Sequence, residues 1–384
     1  MITQIVPSLP PARDGVGDYT CRLFETWDDP SPFWSFIVRR GAEESRSLNP
    51  GWKISECAAD APGLLASLEE HDTTDVVLQY AGYGYHARGI PVWLVAGLTR
   101  WKEGDATRRL TVMFHELYAQ TGPLQSAFWL KPLAKSVVSR LVQLADHSVT
   151  SCGEYHDRLL REFHSDPAKT HRISIGPNIS PEPGTPTDRP WPLSAGGKLR
   201  LLLFGMATTR LWALEAHAEL VQTLHAKNLI ESITLLGKSG FGPKHAKRFE
   251  TLRRKVAPDG LWKEHYDLAP EPLSRLVLEQ DLGLVSNWPG ILTKSGVFAV
   301  LAAHGVPAVI AKKGPHPSNL PDAFFENDDS PASIATCLSE FHDAALVARK
   351  RHTLAQFHDS ELRWDRVAGK WYALLHSTTA HVDS

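Results

Sequence analysis

Short runs of apolar and β-branched residues alternate along this chain with longer segments whose apolar positions recur at helical spacing. In the first half, the predicted strands are Thr3–Val6, Trp34–Val38, Asp75–Tyr80, Arg109–Phe114 and His147–Thr150, and the predicted helices include Pro91–Lys102 and Lys131–Ala145. Strands that alternate with helices are typical of a parallel sheet covered by helices.

The alternation stops at Gly176–Gly197, where prolines, glycines and small polar residues crowd one segment, and then restarts. In the second half, strands are predicted over Leu199–Phe204, Ser232–Leu236, Leu282–Val285 and Pro307–Ile310, helices over Leu211–Lys227, Pro243–Val256, Pro270–Glu279 and Lys294–His304, and a mostly helical tail over Ala345–Leu375. The two halves share this architecture without a detectable sequence repeat.

We therefore predict an α/β fold with two facing, doubly wound, Rossmann-like domains. They cover residues 1–180 and 198–355 and are joined by a Pro/Gly-rich linker over 181–197. Open parallel sheets bind ligands at the carboxyl ends of their strands, so we expect an active site in the cleft between the domains.

Charge and cysteine content narrow the class of protein. The 384 residues include 43 acidic and 41 basic side chains, so the formal charge of −2 provides no general attraction to nucleic acid. The four cysteines form no Cys-x-x-Cys pair and are typical of buried thiols in a reducing compartment. The sequence shows no export signal and no apolar stretch long enough to cross a membrane, so we expect a cytoplasmic protein.

The first strand leads into a glycine-containing turn. Gly15 and Gly17 would let the backbone approach a ligand, with Asp18 beside them as a cap or polar contact. The alternative is a tight strand-to-helix turn that binds nothing.

Aromatic residues follow the strand that ends at Tyr80. Tyr83, Tyr85 and His86 lie among glycines and suit stacking on a sugar or another ring, whereas a packed aromatic turn would use the same residues. The strand Arg109–Phe114 ends in His115 and Glu116, which could supply a base or a hydrogen bond to a sugar hydroxyl. A histidine at a strand end also often has a purely structural role.

Two loops of the second half place a cation just after a strand. Gly205 opens the loop that leads to Arg210, and Lys238 lies in the loop after the next strand. Each cation could meet a phosphate there, or remain an ordinary surface residue.

The segment before the last apolar helix is the most informative one. Thr293, Lys294, Ser295 and Gly296 are predicted at the start of this helix, where free backbone amides attract anions. A helix cap alone would also use Thr293 and Ser295. The dipole disfavours a lysine at that end, however, so Lys294 indicates an anionic partner.

Local signatures of metal or ATP binding are missing from the sequence. It contains no Asp-x-Asp, His-x-x-x-His or Cys-x-x-Cys pair, and no phosphate-binding loop of the Gly-x-x-x-x-Gly-Lys-Ser/Thr type. We therefore expect no metal site.

The early PPxxDGVGDY turn, the late KSGxFAxxxxHGVP segment and the two α/β halves together resemble glycosyltransferases of GT-B architecture, of the family 4 (group 1) type. The resemblance spans nearly the whole chain. It implies an acceptor-side first domain, a second domain that binds a nucleotide sugar, and a C-terminal helix over 356–384 that crosses back to the first domain. No cofactor is implied, since the nucleotide sugar is a co-substrate.

The resemblance also implies roles for the motif residues near the donor. Gly15, Val16 and Gly17 would approach the donor diphosphate, and Arg210 or Lys238 would neutralise it. Gly205, Lys294, Ser295 and Gly296 complete the implied donor site.

The remaining candidate residues concern the transferred sugar and the acceptor. His115 would contact the sugar, while Glu116 and Asp18 are candidate bases. Tyr83, Tyr85 and His86 lie on the acceptor side. The implied activity is metal-independent sugar transfer to a glycan, a glycolipid or an exopolysaccharide, with a carbohydrate or lipid-linked acceptor and peripheral membrane contact as one option.

One departure from the family pattern is clear. The family's paired glutamates would fall on Leu292 and Val300, which bind neither sugar hydroxyls nor a ribose as carboxylates. The donor site is therefore altered. A catalytically silent nucleotide-sugar-binding or partner subunit, and an enzyme like the nucleotide-sugar 2-epimerases, are the alternative hypotheses.

Overall fold

The computed structural model of the chain describes residues 2–10, 15–27, 34–39, 52–120, 122–123, 125–187, 189–317 and 320–377. These residues form two compact units, Met1–Ser174 together with Val367–Ser384, and Ile175–Arg366. Residues 11–14 of the early glycine turn and residues 378–384 of the C-terminal segment lie outside the described residues. The predicted limits at residues 180, 197 and 355 remain predictions.

The first unit contains a seven-stranded parallel sheet with the strand order β3-β2-β1-β4-β5-β6-β7. Its strands are β1 (Ile2–Val6), β2 (Trp34–Arg39), β3 (Lys53–Cys57), β4 (Asp75–Tyr80), β5 (Arg109–Phe114), β6 (His147–Thr150) and β7 (Thr170–Arg172). Its helices are α1 (Gly15–Glu25), α2 (Ala61–Glu70), α3 (Gly82–Tyr85), α4 (Val92–Glu103), α5 (Ser126–Leu144), α6 (Gly153–Phe163) and the last helix of the chain, given below.

The second unit contains a six-stranded parallel sheet with the strand order β10-β9-β8-β11-β12-β13. Its strands are β8 (Leu199–Gly205), β9 (Ile230–Gly237), β10 (Trp262–Tyr266), β11 (Leu282–Val285), β12 (Ala308–Ala311) and β13 (Phe325–Asn327). Its helices are α7 (Ala207–Ala216), α8 (Ala218–Ala226), α9 (Pro243–Val256), α10 (Pro270–Leu278), α11 (Gly296–Ala303), α12 (Pro331–His342) and α13 (Ala344–Phe357), and α14 (Trp364–His376) follows at the end of the chain.

Both sheets reverse their strand order next to the first strand of the unit. In the first unit the chain builds outward from β1 to β3 and then returns to the other side of β1 with β4; β8 and β11 repeat this reversal in the second unit. Such a reversal opens a crevice at the carboxyl ends of the strands, where ligands of doubly wound sheets bind. The predicted α/β class with two Rossmann-like units is confirmed.

The four strands that the sequence pattern did not predict, β3, β7, β10 and β13, are the edge strands of the two sheets. β10 reads Trp-Lys-Glu-His-Tyr and buries only its first residue fully, and β13 has only three residues. An edge strand needs no continuous apolar run, because one side faces no neighbouring strand.

The helix predicted over Leu211–Lys227 is two helices, α7 and α8, separated at His217. The buried His217 ring bonds through Nε2 to the Val285 carbonyl oxygen at 3.0 Å, and its Nδ1 lies 2.9 Å from the Asn327 amide. Asp329 accepts hydrogen bonds from two backbone amides in the first turn of α8. A cap supplied from about a hundred residues away leaves no local sequence signal.

Candidate donor and acceptor sites

Glycines bring the loops after β1 and β4 together in the first unit. A Cβ on Gly17 would lie 2.6 Å from the Ser8 carbonyl oxygen, and one on Gly84 would lie 2.6 Å from the Pro7 Cβ, so neither position admits a larger residue without movement. Gly15 is exposed, and among the described residues no atom lies within 4 Å of the position of a Cβ there. Gly17 therefore serves the packing of α1, whereas no such contact is seen at Gly15.

The neighbours of Gly15 in the turn lie on α1. Val16 and Asp18 are half-buried in its first turn, and the Val16 carbonyl oxygen accepts a hydrogen bond from the Thr20 hydroxyl at 2.8 Å. A carboxylate in the first turn is favoured by the helix dipole. Asp18 thus has a structural reason for its position, and its role as a base remains a prediction.

A chain of polar side chains crosses the three central strands of this sheet and ends at His115. Gln79 on β4 donates a hydrogen bond from Nε2 to Gln4 Oε1 on β1 at 2.9 Å, and its Oε1 lies 2.8 Å from His115 Nε2. Because Gln79 Oε1 can only accept, His115 carries a proton on Nε2 in this arrangement. The two buried glutamines therefore fix the orientation and the tautomer of the histidine.

Aromatic side chains hold the other side of His115. The Tyr19 ring on α1 meets the imidazole edge to face, with the ring centroids 5.1 Å apart. Trp371 on α14 donates from its indole nitrogen to the Tyr19 hydroxyl at 2.7 Å. Burial raises the pKa of Tyr19 well above its usual range, so the phenol stays neutral. His115 is thus positioned by three different elements.

The three residues expected on the acceptor side differ in exposure. Tyr83 exposes 46% of its surface, whereas Tyr85 is buried and its hydroxyl is within 2.9 Å of the carbonyl oxygens of Ile5 and Gln79. Tyr85 therefore ties the loop after β4 to the sheet instead of offering a stacking surface. His86 Nδ1 accepts hydrogen bonds from the backbone amides of Arg88 and Ile90, both at 3.3 Å, which shape the same loop.

Tyr83 and Glu116 line one pocket of the first unit. The pocket is formed by the loops after β4 and β5 and by the first half of α5, and its charged residues are Glu116, Arg88 and Lys131. Glu116 is exposed here, unlike its half-buried neighbour His115. The pocket is small, with a volume of about 20 Å³, and a carboxylate, two cations and an aromatic side chain line it.

In the second unit, the loops after β8 and β9 touch backbone to backbone. Gly205 and Gly237 have φ angles of +113° and +129°, and a Cβ on Gly237 would overlap the Gly205 carbonyl oxygen. A positive φ and such a close approach both require glycine. Only 3.0 Å would separate a Cβ on Gly205 from Val297 in the first turn of α11. Gly205 thus lies where the β8 loop, the β9 loop and α11 meet.

Arg210 is buried, contrary to the expectation of a cation that faces the ligand. Its guanidinium donates to the Gly205 carbonyl oxygen and, at 2.8 Å, to the Lys238 carbonyl oxygen. The Tyr266 ring lies 4.9 Å from its central carbon. Burial lowers the pKa of Arg210, although an arginine stays charged. The side chain acts by holding the two glycine loops in place.

Lys238 is the more accessible cation of this cluster. Its side chain is 56% exposed, and its Nζ lies 3.9 Å from the Asp267 carboxylate. Asp267 also accepts from the Ser239 hydroxyl and, through its own amide, donates to the Gly237 carbonyl oxygen at 2.8 Å. The Lys238 side chain therefore lies near the loop and is accessible to solvent.

The start of α11 differs from the sequence prediction by two residues. Thr293 and Lys294 end a short 3-10 helix, Pro289–Lys294, and Ser295 is the N-cap of α11, accepting a hydrogen bond from the Phe298 amide at 3.2 Å. Gly296 opens the helix, and no atom in the part of the chain that the structure describes lies within 4 Å of the position of a Cβ there. The first-turn amides lie at the positive end of the helix, in the turn where Val297 lies close to Gly205.

The residues at the positions of the family's paired glutamates belong to the core. Leu292 and Val300 are 0% and 1% exposed and pack among the apolar side chains around α11. A carboxylate at either position would be buried without charge compensation. The departure from the family pattern is therefore consistent with the packing of this unit.

Several residues that shape these sites were not expected from the sequence. Gln4 and Gln79 are polar residues inside strands that are otherwise almost entirely apolar, and that interruption was the available signal. Tyr266 ends β10, an edge strand that the pattern did not predict, and Asp267 follows it.

Two further properties of the described residues concern metal binding and membrane crossing. Among the described residues, no group of three or more His, Cys, Asp or Glu side chains is placed to hold a metal ion. Within the same ranges, none of the helices combines the length and the apolar character needed to cross a bilayer.

Comparison of the sequence with protein-family models and with curated proteins gives no match. Solved structures do match over nearly the full length. HepE from Anabaena in complex with UDP is 13% identical, with 98% of this chain and 100% of that chain covered and a TM-score of 0.69. A trehalose-6-phosphate protein from E. coli bound with UDP-2-fluoro glucose is 11% identical, with 98% and 99% covered and a TM-score of 0.65.

WaaG, a glycosyltransferase involved in lipopolysaccharide biosynthesis, is 10% identical, with 98% of this chain and 100% of that chain covered and a TM-score of 0.64. At such identities the similarity establishes the fold. The chain therefore has the fold of the GT-B glycosyltransferases.

Proposed function

We propose that this protein is a glycosyltransferase that moves a sugar from a nucleotide-sugar donor to a carbohydrate or lipid-linked acceptor. The observation that carries the proposal is the cluster at the carboxyl ends of β8 and β9, where Gly205, Lys238 and the start of α11 lie together. Backbone amides, a helix N-terminus and an exposed lysine are the groups that bind a diphosphate. UDP in HepE and UDP-2-fluoro glucose in the E. coli protein are the corresponding ligands of chains with this fold.

The second unit supplies the donor side of this reaction. As the bond between the anomeric carbon and the phosphate oxygen breaks, negative charge grows on the departing nucleoside diphosphate. Lys238 and the first-turn amides of α11 would stabilise that charge directly, and Lys294 lies one residue before the cap. Arg210 would act through the loops that it holds. We propose that these groups suffice without a bound metal ion.

The first unit supplies the acceptor side. The acceptor hydroxyl oxygen forms the new bond to the anomeric carbon and loses its proton to a base. We propose Glu116 as that base, because its carboxylate is exposed and lines a pocket with Tyr83. His115, which Gln79 holds in one orientation, would contact the transferred sugar.

A thermal-shift series over UDP-, GDP-, ADP- and dTDP-sugars tests the donor assignment. A ligand that binds only the folded state raises the melting temperature, so one nucleotide class should stabilise the protein. The same donor is then incubated with and without acceptor, and the products are separated. Release of nucleoside diphosphate with sugar transfer or donor hydrolysis supports the proposal.

Variants locate the donor site. Lys238→Ala and Lys294→Ala should each weaken nucleoside-diphosphate binding about tenfold in calorimetry, since each removes a charge-assisted contact, with little loss of stability. Lys263→Ala, on the exposed part of β10, is the matched control and should bind normally. Equal affinity of all four proteins would contradict the assignment. Binding without turnover would instead identify a nucleotide-sugar-binding subunit, and an epimerised donor would identify an epimerase.

A further inference from the structure

The small pocket of the first unit lies between the loops after β4 and β5 and helix α5. We call it the loop pocket; Gly82, Arg88, Glu116 and Lys131 are among the residues that line it. Its volume is about 20 Å³, whereas a single water molecule needs roughly 10–15 Å³. The loop pocket therefore has room for a group of a few atoms but not for a whole sugar ring.

A buried hydroxyl lies beside this pocket. Tyr80, the last residue of β4, is 0% exposed, and among the described residues its hydroxyl has no hydrogen-bond partner. A Cβ on Gly82 would lie 3.2 Å from that hydroxyl, so the oxygen is adjacent to the wall of the loop pocket. Burying a hydroxyl without a partner costs free energy, so this position favours a ligand that accepts a hydrogen bond from it.

The Tyr80 phenol is a donor at neutral pH. Burial and, as the smaller effect, the charge of Glu116 raise the pKa of Tyr80 well above its usual range. The neutral hydroxyl can therefore donate to an anionic oxygen.

The two cations of the loop pocket are not neutralised by carboxylates. Within the part of the chain that the structure describes, neither Arg88 nor Lys131 forms an ion pair. By contrast, Lys135, one turn further along α5, pairs with Glu162 at 3.2 Å. Lys131 instead lies 5.5 Å from the centroid of the Tyr118 ring. Two positive charges are thus available to one small pocket.

We propose that the loop pocket binds a phosphate group, with Arg88 and Lys131 as its cations and the Tyr80 hydroxyl as a hydrogen-bond donor. A phosphate monoester carries a charge of about −1.5 to −2 at neutral pH, which two cations match. A carboxylate suits the site less well, because its single charge leaves one cation without a partner. Glu116 lines the pocket but is exposed, so solvent and salt screen its repulsion.

The source of the phosphate follows from the position of the pocket, and this step rests on the proposed function. Glu116, the proposed base, lines the same pocket, so a molecule held there by its phosphate lies on the acceptor side. The acceptor is then a phosphorylated one.

Titration of the full chain with inorganic phosphate tests the site without donor or acceptor. Calorimetry should show saturable binding, and phosphate should raise the melting temperature. The loops of the second unit also offer amides and a lysine to phosphate, so every titration uses the Lys238→Ala background. Acetate, a monoanion, should bind about tenfold more weakly, because it pairs with only one of the cations.

Single variants separate the three groups. Tyr80→Phe should be at least as stable as the unaltered protein, because no hydrogen bond within the protein is lost, but should bind phosphate about tenfold more weakly. Arg88→Gln and Lys131→Gln should each weaken binding to a similar extent and reduce its salt dependence. The exposed Tyr372→Phe and Arg100→Gln, in the same unit, are the matched controls and should bind phosphate normally.

Three results would overturn the phosphate site. The protein could fail to bind phosphate, the three pocket variants could bind it as tightly as the controls, or acetate could bind as tightly as phosphate. Failure of the proposed function looks different, because phosphate would still bind to the loop pocket while no nucleotide sugar binds.

The transfer assay tests the link to the acceptor. Tyr80→Phe should raise the KM for the acceptor about tenfold and leave the KM for the donor unchanged, since the hydroxyl meets only the acceptor phosphate. An unchanged acceptor KM, together with weakened phosphate binding, would keep the phosphate site and overturn the assignment of that phosphate to the acceptor.

Discussion

At the scale of single residues, Gln79 connects the sheet of the first unit to His115, the histidine that follows β5. Its amide is 0% exposed and bonds to Gln4 on one side and to His115 on the other. A buried amide that bonds to two polar neighbours contributes to stability mainly because none of the three groups is then buried without a hydrogen-bond partner. The orientation of the histidine therefore depends on a residue that is itself fully buried.

Replacing Gln79 with methionine should lower the free energy of unfolding by about 1–3 kcal/mol, because Gln4 and His115 then lose a buried partner. Urea unfolding at neutral pH measures the change. The exposed Gln356→Met serves as the control and should remain within about 0.5 kcal/mol of the unaltered protein. Equal stability of the two variants would show that the glutamine chain contributes nothing.

Candidate site residues could be chosen from their position more than from their residue type, and their roles stay predictions. His115 and Glu116 could be singled out because they follow a predicted strand directly, and the structure places both at the end of β5. Arg210 was expected at an exposed position and is buried, and of the two alternatives for Tyr85, a stacking surface or a packed aromatic turn, the structure shows the packed one. Whether a side chain after a strand turns toward solvent or toward backbone carbonyls depends on the loops it meets, and a local pattern does not encode those.

At the scale of elements, the second unit contains a buried histidine at the end of α11 that joins it to α10. His304 donates from Nδ1 to the Val300 carbonyl oxygen at 2.7 Å, and its Nε2 lies 2.8 Å from the Ser274 hydroxyl, which donates to it. Burial lowers the pKa of His304 to about 4. The neutral ring is thus part of the packing between the two helices.

This histidine should make stability depend on pH. Its pKa is about 4 in the folded state and near 6.5 in the unfolded state, so the unfolded chain binds the proton more readily between those values. The stabilising contribution is therefore complete above about pH 6.5 and falls as the pH drops toward 4, by up to about 3 kcal/mol. Urea unfolding at a series of pH values measures it.

His304→Gln is the matching variant for that experiment. It should be less stable at neutral pH and show a smaller loss of stability on acidification, since the glutamine does not titrate. The exposed His352→Gln is the control and should keep the full pH dependence. If the free energy of unfolding of His304→Gln depended on pH as strongly as that of the unaltered protein, the acid sensitivity would belong to other groups.

Helix and strand limits were predictable where the signal is local. The strands Asp75–Tyr80, Arg109–Phe114 and Leu282–Val285 and the helix Pro243–Val256 have the predicted limits. The break at His217 was not predictable from nearby residues. The His217 ring at the end of α7 bonds to the carbonyl oxygen of the distant Val285, and the carboxylate that caps α8 belongs to the distant Asp329.

At the scale of the whole molecule, the first unit contains two separate stretches of the chain. The second unit, Ile175–Arg366, lies between them in sequence. The last helix, α14, contributes Trp371, which is 0% exposed and bonds to Tyr19 at the start of the chain. The end of the sequence is therefore part of the structure that holds His115.

Trp371→Ala should destabilise the first unit by about 3–5 kcal/mol, because it leaves a large cavity and removes the donor to a buried phenol. Unfolding followed by circular dichroism measures this loss. The exposed Trp212→Ala, in the second unit, is the control for removing an indole and should have little effect. A small effect of Trp371→Ala would mean that α14 packs without supporting the unit.

The sequence alone determined the alternation of strands and helices, the α/β class and the glycine at the end of the first strand of the second unit. These depend on apolar periodicity and on backbone freedom, which neighbouring residues set. Only the tertiary structure decided the glutamine chain that orients His115, the burial of Arg210 between Gly205 and Lys238, and the pairing of Trp371 with Tyr19. Each of these joins side chains from different elements, so its energy exists only after the chain has folded and water has been excluded between them.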